Sequence, residues 1–322
     1  MTTCPDSDEV LPADADRDAW LDARREGIGG SDASTIAGVN PYTTLYELWL
    51  DKTGYDVETR YTPEMRFGHL IEPVARQVFT EDIGVGVTLS GLQRSRSRPW
   101  QQHTPDGLTD DGGLLEIKSV GWREAHHWDD GQVADHAEVQ VQHGMAVTGL
   151  THAWVVAVIE REFIFRRVDR NQGFIDLITD MERDFWERHV LADEEPALVA
   201  ADLDTVRARW PRARDGDVRV SETEWLPDTL AAYRAATDAA KRAADEKARI
   251  EAELTDYIGH DEAAGWFDRD GDAVIAVTRK NITRTGLDSK ALRVDHPDIY
   301  QQYATETTYR RLSVLARPRK AR

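Results

Sequence analysis

The stretch His103-Thr-Pro-Asp106-Gly-Leu-Thr-Asp-Asp-Gly-Gly-Leu-Leu-Glu116-Ile-Lys118 decides how this chain reads. Taken as a strand, Leu114 to Ser119 puts Glu116 and Lys118 on one face and Leu115 and Ile117 on the other, because successive strand side chains point to opposite sides. The Gly- and Asp-rich interval before it is a turn. Asp106 precedes Glu116 by ten residues, so a hairpin would carry its carboxylate beside that of Glu116 at a sheet edge. Two hard oxygen donors converging next to an ammonium suit Mg²⁺, with Mn²⁺ as a substitute. Such an ion polarises a phosphorus centre and acidifies the attacking water, while a neighbouring lysine orients that water or offsets the charge of the transition state. A Glu-x-Lys triplet alone is usually a solvated ion pair. The Pro105-Asp106-Gly107 step upstream at this spacing separates the two readings.

Outward from that hairpin, helical and strand patterns alternate between about Trp20 and Val190, the signature of a single α/β domain. Helices are expected at 31–37 with Ser31 as N-cap, at 43–52, and at 64–81, where Phe67, Leu70, Ile71, Val74, Val78 and Phe79 would form a buried stripe. Extended segments follow near 85–98, 100–105 and 113–120. A helix is expected at 137–148, paired strands at 151–159 and 163–168, and a closing helix at 174–191. Residues 1–16 are polar and acidic and are expected to be disordered. The domain is placed at 17–195, a Pro- and charge-rich linker at 196–228, and an extension at 229–322. A long helix over 229–258, then short strands and a small helix, would make up that extension.

Cys4 is the only cysteine of 322 residues, which excludes an internal disulfide, a Cys-based zinc site and an iron–sulfur cluster. The apolar runs are too short to span a bilayer and the acidic start does not resemble a signal peptide, so a cytoplasmic protein is expected, in a host cytoplasm if it is viral, with no membrane partner. A net charge of −19 runs against binding a polyanion, so local cations must outweigh the total. One candidate phosphate site is Gly27-Ile-Gly-Gly-Ser31-Asp32, a permissive backbone leading into a helix start that can present N–H groups to a phosphate, without the Gly-Lys-Ser/Thr ending of a P-loop. A second is Arg94, Arg96 and Arg98, which on a strand would share one face about 7 Å apart as a phosphate-tracking ladder; the competing reading is an edge strand guarded by charge. The histidines at 126, 127, 136, 143 and 152 fit no compact ligand set and are expected at the surface or near DNA. Trp122 and Trp128 are candidates for stacking on bases.

The run from Asp106 to Lys118 resembles the PD-(D/E)xK nuclease superfamily, and its surroundings resemble the lambda-exonuclease-like branch, the YqaJ-type viral recombinase family. Arg24-Arg-Glu-Gly-Ile-Gly-Gly-Ser-Asp-Ala33 with Asn40-Pro-Tyr42 is similar to that family's opening motif, and Phe67-Gly-His-Leu-Ile-Glu72-Pro to its G-x-x-x-E helix. Glu138-Val-Gln140-Val-Gln142-His-Gly-Met145 is similar to its glutamine-motif helix. The likeness runs over roughly residues 17–190. It implies a restriction-endonuclease-like α/β core, a mixed central sheet flanked by helices, with a helical and small-β C-terminal extension. It also implies a metal set of Glu72, Asp106 and Glu116 with the Ile117 carbonyl, and Lys118 as catalytic lysine. Gln140 and Gln142 would line the site. Two residues apart on a helix, they cannot face the same way, and Gln142 is the one expected to reach it. Arg25 or Arg24 with Ser31 would receive the 5′ phosphate. The implied activity is Mg²⁺-dependent 5′→3′ digestion of double-stranded DNA ends, by a homo-oligomer in the form of a trimeric ring, generating 3′ single strands for a single-strand annealing protein in phage or viral recombination. The alternatives are a structure-specific endonuclease and an inert DNA-binding recombination scaffold.

Overall fold

The structure is a computed structural model, and it describes residues 3–55, 62–214, 217–307, 309–310 and 312–315. The chain divides into two units, Met1–Trp210 and Pro211–Arg322. The first opens with β1 (Ser7–Leu11), α1 (Arg17–Arg25), α2 (Gly30–Ile36), α3 (Leu45–Lys52) and α4 (Pro63–Ile83). Five strands follow: β2 (Val87–Thr88), β3 (Leu92–Ser95), β4 (Gln102–His103), β5 (Gly107–Thr109) and β6 (Leu114–Val120). Then come α5 (Asp135–Thr148), β7 (His152–Ile159), β8 (Glu162–Asp169), α6 (Gln172–Asp184) and α7 (Leu203–Arg209). A π-helical turn, Phe185–Leu191, prolongs α6.

The central sheet has the order β2-β5-β6-β7-β8. Only β6 and β7 are parallel, and α5 is the crossover that a parallel pair requires. Strand β7 carries Val155-Val-Ala-Val158, apolar on both faces and buried, as expected of a strand covered on two sides. One face of the sheet packs Leu114, Ala153, Val155 and Ala157 under Val141 and Met145 of α5 and Ile175 of α6. The other packs Leu115, Ile117, Val156 and Val158 against Ala75 and Phe79 of α4. The alternation along β6 thus turns Glu116 and Lys118 toward α5. Helix α5 can come that close because Gly144 has no side chain: a Cβ there would stand 2.7 Å from His103 Nε2 and 2.8 Å from Leu114 Cδ1. Gly30 similarly lets α2 approach α5, since its Cβ would meet Gln140 Cγ at 2.6 Å.

Three features differ from the sequence reading. The N-terminus is not disordered throughout, because β1 pairs antiparallel with β3 from Ser7↔Ser95 onward, in a second sheet of order β1-β3-β4. Along α4 only Ala75 and Phe79 are buried, while Phe67, Leu70 and Val74 are exposed; the patch formed by Leu115, Ile117 and Val156 takes Ala75 and Phe79, with Ile71 and Ile83 partly buried against it. The segment 196–210 is not a linker. Thr205 donates to Glu47 Oε1 at 2.6 Å, and Arg209 donates to the Tyr46 hydroxyl at 2.6 Å. The Arg209 guanidinium also lies over the rings of Trp49 and Tyr55, 5.3 and 4.5 Å from their centroids, so cation–π attraction fastens the segment to α3 and the residues that follow it.

The second unit contains α8 (Trp225–Ile258), an antiparallel hairpin of β9 (Ala263–Phe267) and β10 (Ala273–Thr278), α9 (Ser289–Asp295) and α10 (Pro297–Tyr303). Among the described residues no helix is long and apolar enough to cross a membrane.

Candidate active site

The β5–β6 hairpin pairs Gly107 with Leu115 and Leu108 with Leu114, so the next position of the register sets Asp106 opposite Glu116. There β5 has ended, and the Asp106 carboxylate takes over its role. Asp106 Oδ2 accepts a hydrogen bond from the Ile117 backbone N–H at 2.6 Å. A strand residue's N–H and C=O point to the same side, which turns the Ile117 carbonyl toward the same gap. Glu116 Oε1 accepts from Lys118 Nζ at 2.7 Å, while its other oxygen, Oε2, is buried without a hydrogen-bond partner. Lys118 Nζ also donates to Gln140 Oε1 at 2.6 Å.

Glu72 approaches from α4. His69 Nδ1 lies 3.2 Å from its Oε1, and Arg76 Nη1 lies 3.8 Å from its Oε2 while donating to the Asp106 carbonyl at 3.1 Å. Burial, and then the charges of Glu116 and Glu72, raise the Asp106 carboxyl well above the ordinary carboxylate range. Carboxylates crowded this way, one with a buried and unpartnered oxygen, are the donor set that a hard cation satisfies. Among the described residues no three His, Cys, Asp or Glu side chains cage an ion by themselves. Asp106 and Glu116 offer a two-carboxylate seat, the kind that Mg²⁺ completes with waters and substrate oxygens.

The structure corrects the expectation for the glutamines. Gln140 faces Lys118, whereas Gln142 points away: its Nε2 donates to the Asp169 carbonyl at 2.9 Å and its Oε1 accepts from Asn171 N–H at 2.9 Å. Side chains two apart on a helix diverge by about 200°, so Gln142 ties α5 to the junction of β8 and α6. His143 is likewise interior rather than at the surface. Its Nδ1 lies 2.7 Å from Glu182 Oε1 and its Nε2 2.9 Å from the Gln102 carbonyl. Both partners are acceptors, so the ring is satisfied as imidazolium; burial opposes that charge, but Glu182 outweighs it and raises the His143 pKa.

Residues 19–151 match the YqaJ-like viral recombinase domain. Over those residues the chain is similar to that family. The YqaJ-like likeness extends beyond the matched domain: the uncharacterized protein YqaJ of Bacillus subtilis (strain 168) is 27% identical over 330 residues, covering 95% of this chain and 97% of that protein. Protein D345L of African swine fever virus (strain Badajoz 1971 Vero-adapted) is 28% identical over 96 residues, 28% of this chain and 27% of that protein. Among solved structures, the alkaline exonuclease LHK-Exo of Laribacter hongkongensis is 25% identical, with a TM-score of 0.48 over 55% of this chain and 93% of that one.

Within the YqaJ-like domain the opening motif forms a buried ionic knot that sequence reading missed. Asp32 accepts from Arg24 Nη2 at 2.9 Å and from Lys52 Nζ at 2.7 Å, one cation to each oxygen, and also from Gly29 N–H at 2.9 Å. Burial would raise the Asp32 pKa, but Lys52 and Arg24 overcome it and hold the carboxyl below its usual range. Lysine is seldom buried, and nothing local to Lys52 announces that its partner lies on α2. Arg24 Nη2 lies 3.5 Å from Ser31 Oγ, and its guanidinium lies over the Trp20 ring, 5.7 Å from the centroid. Arg25 points elsewhere, to Asp22 at 3.5 Å and Asp51 at 3.8 Å. Of the two arginines, Arg24 is therefore the one beside Ser31.

The arginine ladder does not form, because β3 ends at Ser95 and each arginine has its own partner within the chain. Arg94 pairs with Glu26 at 2.9 Å, Arg96 with Asp8 at 2.7 Å, and Arg98 donates to Gln101 and to the Ala146 carbonyl. Trp128 belongs to the core under α5, whereas Trp122 is exposed with the Arg123 guanidinium 5.2 Å from its ring centroid.

Proposed function

We propose that this protein is a Mg²⁺-dependent deoxyribonuclease, an exonuclease that digests duplex DNA ends 5′→3′ and leaves 3′ single strands for an annealing protein in phage or viral recombination. The observation that carries the reading is the buried, unpartnered Glu116 Oε2 beside Asp106, with Lys118 held between Glu116 and Gln140. Asp106 and Glu116 would hold the ion, with Glu72 and the Ile117 carbonyl as further donors. Bound there, it would supply Lewis acidity toward the scissile phosphate and a lowered pKa for the attacking water.

The remaining work falls to the chain itself. Lys118 cannot drift, since a carboxylate and an amide oxygen both accept from its ammonium; it can orient the attacking water or donate to a phosphoryl oxygen as negative charge builds. Arg24 and Ser31 would receive the terminal phosphate, with Asp32 and Lys52 fixing the Arg24 guanidinium. For a chain of net charge −19, this local arrangement is what makes a polyanionic substrate acceptable, and binding should weaken steeply with salt. A homo-oligomeric ring of three copies is the assembly that the family resemblance implies, and light scattering measures it.

The deciding experiment compares linear duplexes labelled separately at the 5′ and 3′ termini with a covalently closed circle, with and without Mg²⁺. Release of label from the 5′ terminus first, an intact circle and no digestion in EDTA are the expected results. Linearisation of the circle would show an endonuclease, and no digestion of any substrate at any salt would remove the nuclease reading.

A further inference from the structure

We propose that Tyr42 and His136 form an aromatic platform that contacts the nucleobase next to the scissile phosphate, so that this site grips the end nucleotide by its base as well as by its phosphates. The inference rests on the nuclease reading above and adds a base-contact site to it.

Tyr42 is 70% exposed, yet its backbone is not loose. Pro41 precedes it, and Asn40 Oδ1 accepts from the Tyr42 N–H at 2.9 Å. The Asn40 amide donates in turn to Thr35 Oγ1 at 2.9 Å and to the Ser31 carbonyl at 3.3 Å. The turn that carries Tyr42 is therefore tied to the residue that stands beside Arg24. The Tyr42 ring meets His136 edge to face, with centroids 6.5 Å apart and planes at 85°. His136 lies in the first turn of α5, four residues before Gln140, and residues at that spacing share a helix face. Gln140 is the residue that holds Lys118. One aromatic pair thus joins the Ser31 turn on one side to the Lys118 helix face on the other.

The electrostatics favour a base over a phosphate. Burial, then the charges of Lys118 and His127, lower the His136 pKa to about 4 against the opposing pull of Asp135 and Glu124, so the ring is neutral at physiological pH. Burial and Glu124 raise the Tyr42 pKa against the pull of Lys118, so it remains a phenol. Both groups are close enough to Lys118 to feel its charge, and neither carries a charge that would attract a phosphate. Two uncharged rings with one polar edge each suit stacking on a base, which every sequence offers.

The test uses the full-length protein and a duplex carrying 2-aminopurine at the terminal nucleotide of the degraded strand. Binding is read by fluorescence quenching with Ca²⁺ in place of Mg²⁺, and hydrolysis by release of acid-soluble nucleotide with Mg²⁺. Tyr42→Ala and His136→Ala should lose the quench and raise KM at least about fivefold, the low end of one base–aromatic stack, with a smaller change in kcat. Tyr42→Phe should restore most of the quench. Circular dichroism checks that the variants fold, which the exposure of Tyr42 favours. If the alanine variants keep the wild-type quench and KM while Lys118→Ala abolishes hydrolysis, the platform is refuted and the nuclease reading stands. If the wild-type protein hydrolyses no DNA, or Lys118→Ala digests as wild type does, the nuclease reading fails and the platform with it.

Discussion

Lys118 on β6 and Gln140 on α5 meet at 2.6 Å across the gap between the central sheet and its crossover helix. The contact joins the strand that carries Glu116 to the helix that carries His136 and His143, so the ammonium is held from two elements at once. Gly144 makes the approach possible, since a Cβ there would collide with His103 and with Leu114 of β6.

Gln140 and Gln142 should therefore fail differently when replaced. Gln140→Ala frees Lys118 on one side and is expected to lower kcat by about 10- to 100-fold, as for the loss of a partner that orients a site residue, with little change in melting temperature. Gln142→Ala leaves the Asp169 carbonyl and Asn171 N–H unpaired and should cost about 1–3 kcal/mol of stability. Parallel denaturant unfolding and rate measurements separate the two.

Lys118→Ala should reduce hydrolysis by about 100-fold or more while leaving DNA-end binding near wild type. Gel-shift titration beside a digestion assay reads both quantities. Digestion unchanged from wild type would show that Lys118 is not in the catalytic centre.

Mg²⁺ should raise the melting temperature of the wild-type protein, since an ion that binds only the folded state at 100 times its Kd adds about 2.7 kcal/mol. Glu116→Gln should abolish that shift by removing one carboxylate of the seat. Differential scanning fluorimetry across a Mg²⁺ series, with EDTA as reference, makes the comparison.

Asp32→Ala should be strongly destabilising, by about 3–5 kcal/mol, because Lys52 is left buried without its partner. The Asp32 pKa is lowered in the folded protein. Its contribution is therefore fully present above the unfolded carboxyl value of about 3.9 and is lost as pH falls toward and through the folded value. Unfolding midpoints followed downward from pH 5 should show a steeper loss in wild type than in the variant.

The His143–Glu182 pair has the opposite sign. Its folded pKa is raised, so the stability it adds is fully present below the unfolded imidazole value of about 6.5 and is lost as pH rises through the folded value. Glu182→Gln removes the partner charge and should flatten that dependence in urea unfolding between pH 5 and about 9.

Much of the candidate site could be read along the chain because its logic is local. The alternation in Leu114 to Val120 sets which way Glu116 and Lys118 point, and the ten residues from Asp106 to Glu116 fit the observed hairpin register. The strand ends and the partners of isolated charges were not legible in this way. Arg94, Arg96 and Arg98 alternate in sequence as a strand face would, yet β3 stops at Ser95 and Arg96 turns to Asp8, 88 residues away. The stripe on α4 has helical period along its length, but the sheet covers only the part near Ala75 and Phe79.

By itself, the sequence determined the α/β class, the hairpin that sets Asp106 against Glu116, and the motif order that resembles the YqaJ-type family. These follow from backbone geometry, in which side-chain direction repeats every two residues in a strand and every 3.6 in a helix. Only the tertiary structure decided that Gln140 rather than Gln142 meets Lys118, that Asp32 is held by Arg24 and Lys52, and that Tyr42 stands against His136. Each of these depends on how separate elements pack. A charge or an amide finds its partner through space, and nothing in its own neighbourhood along the chain specifies which one.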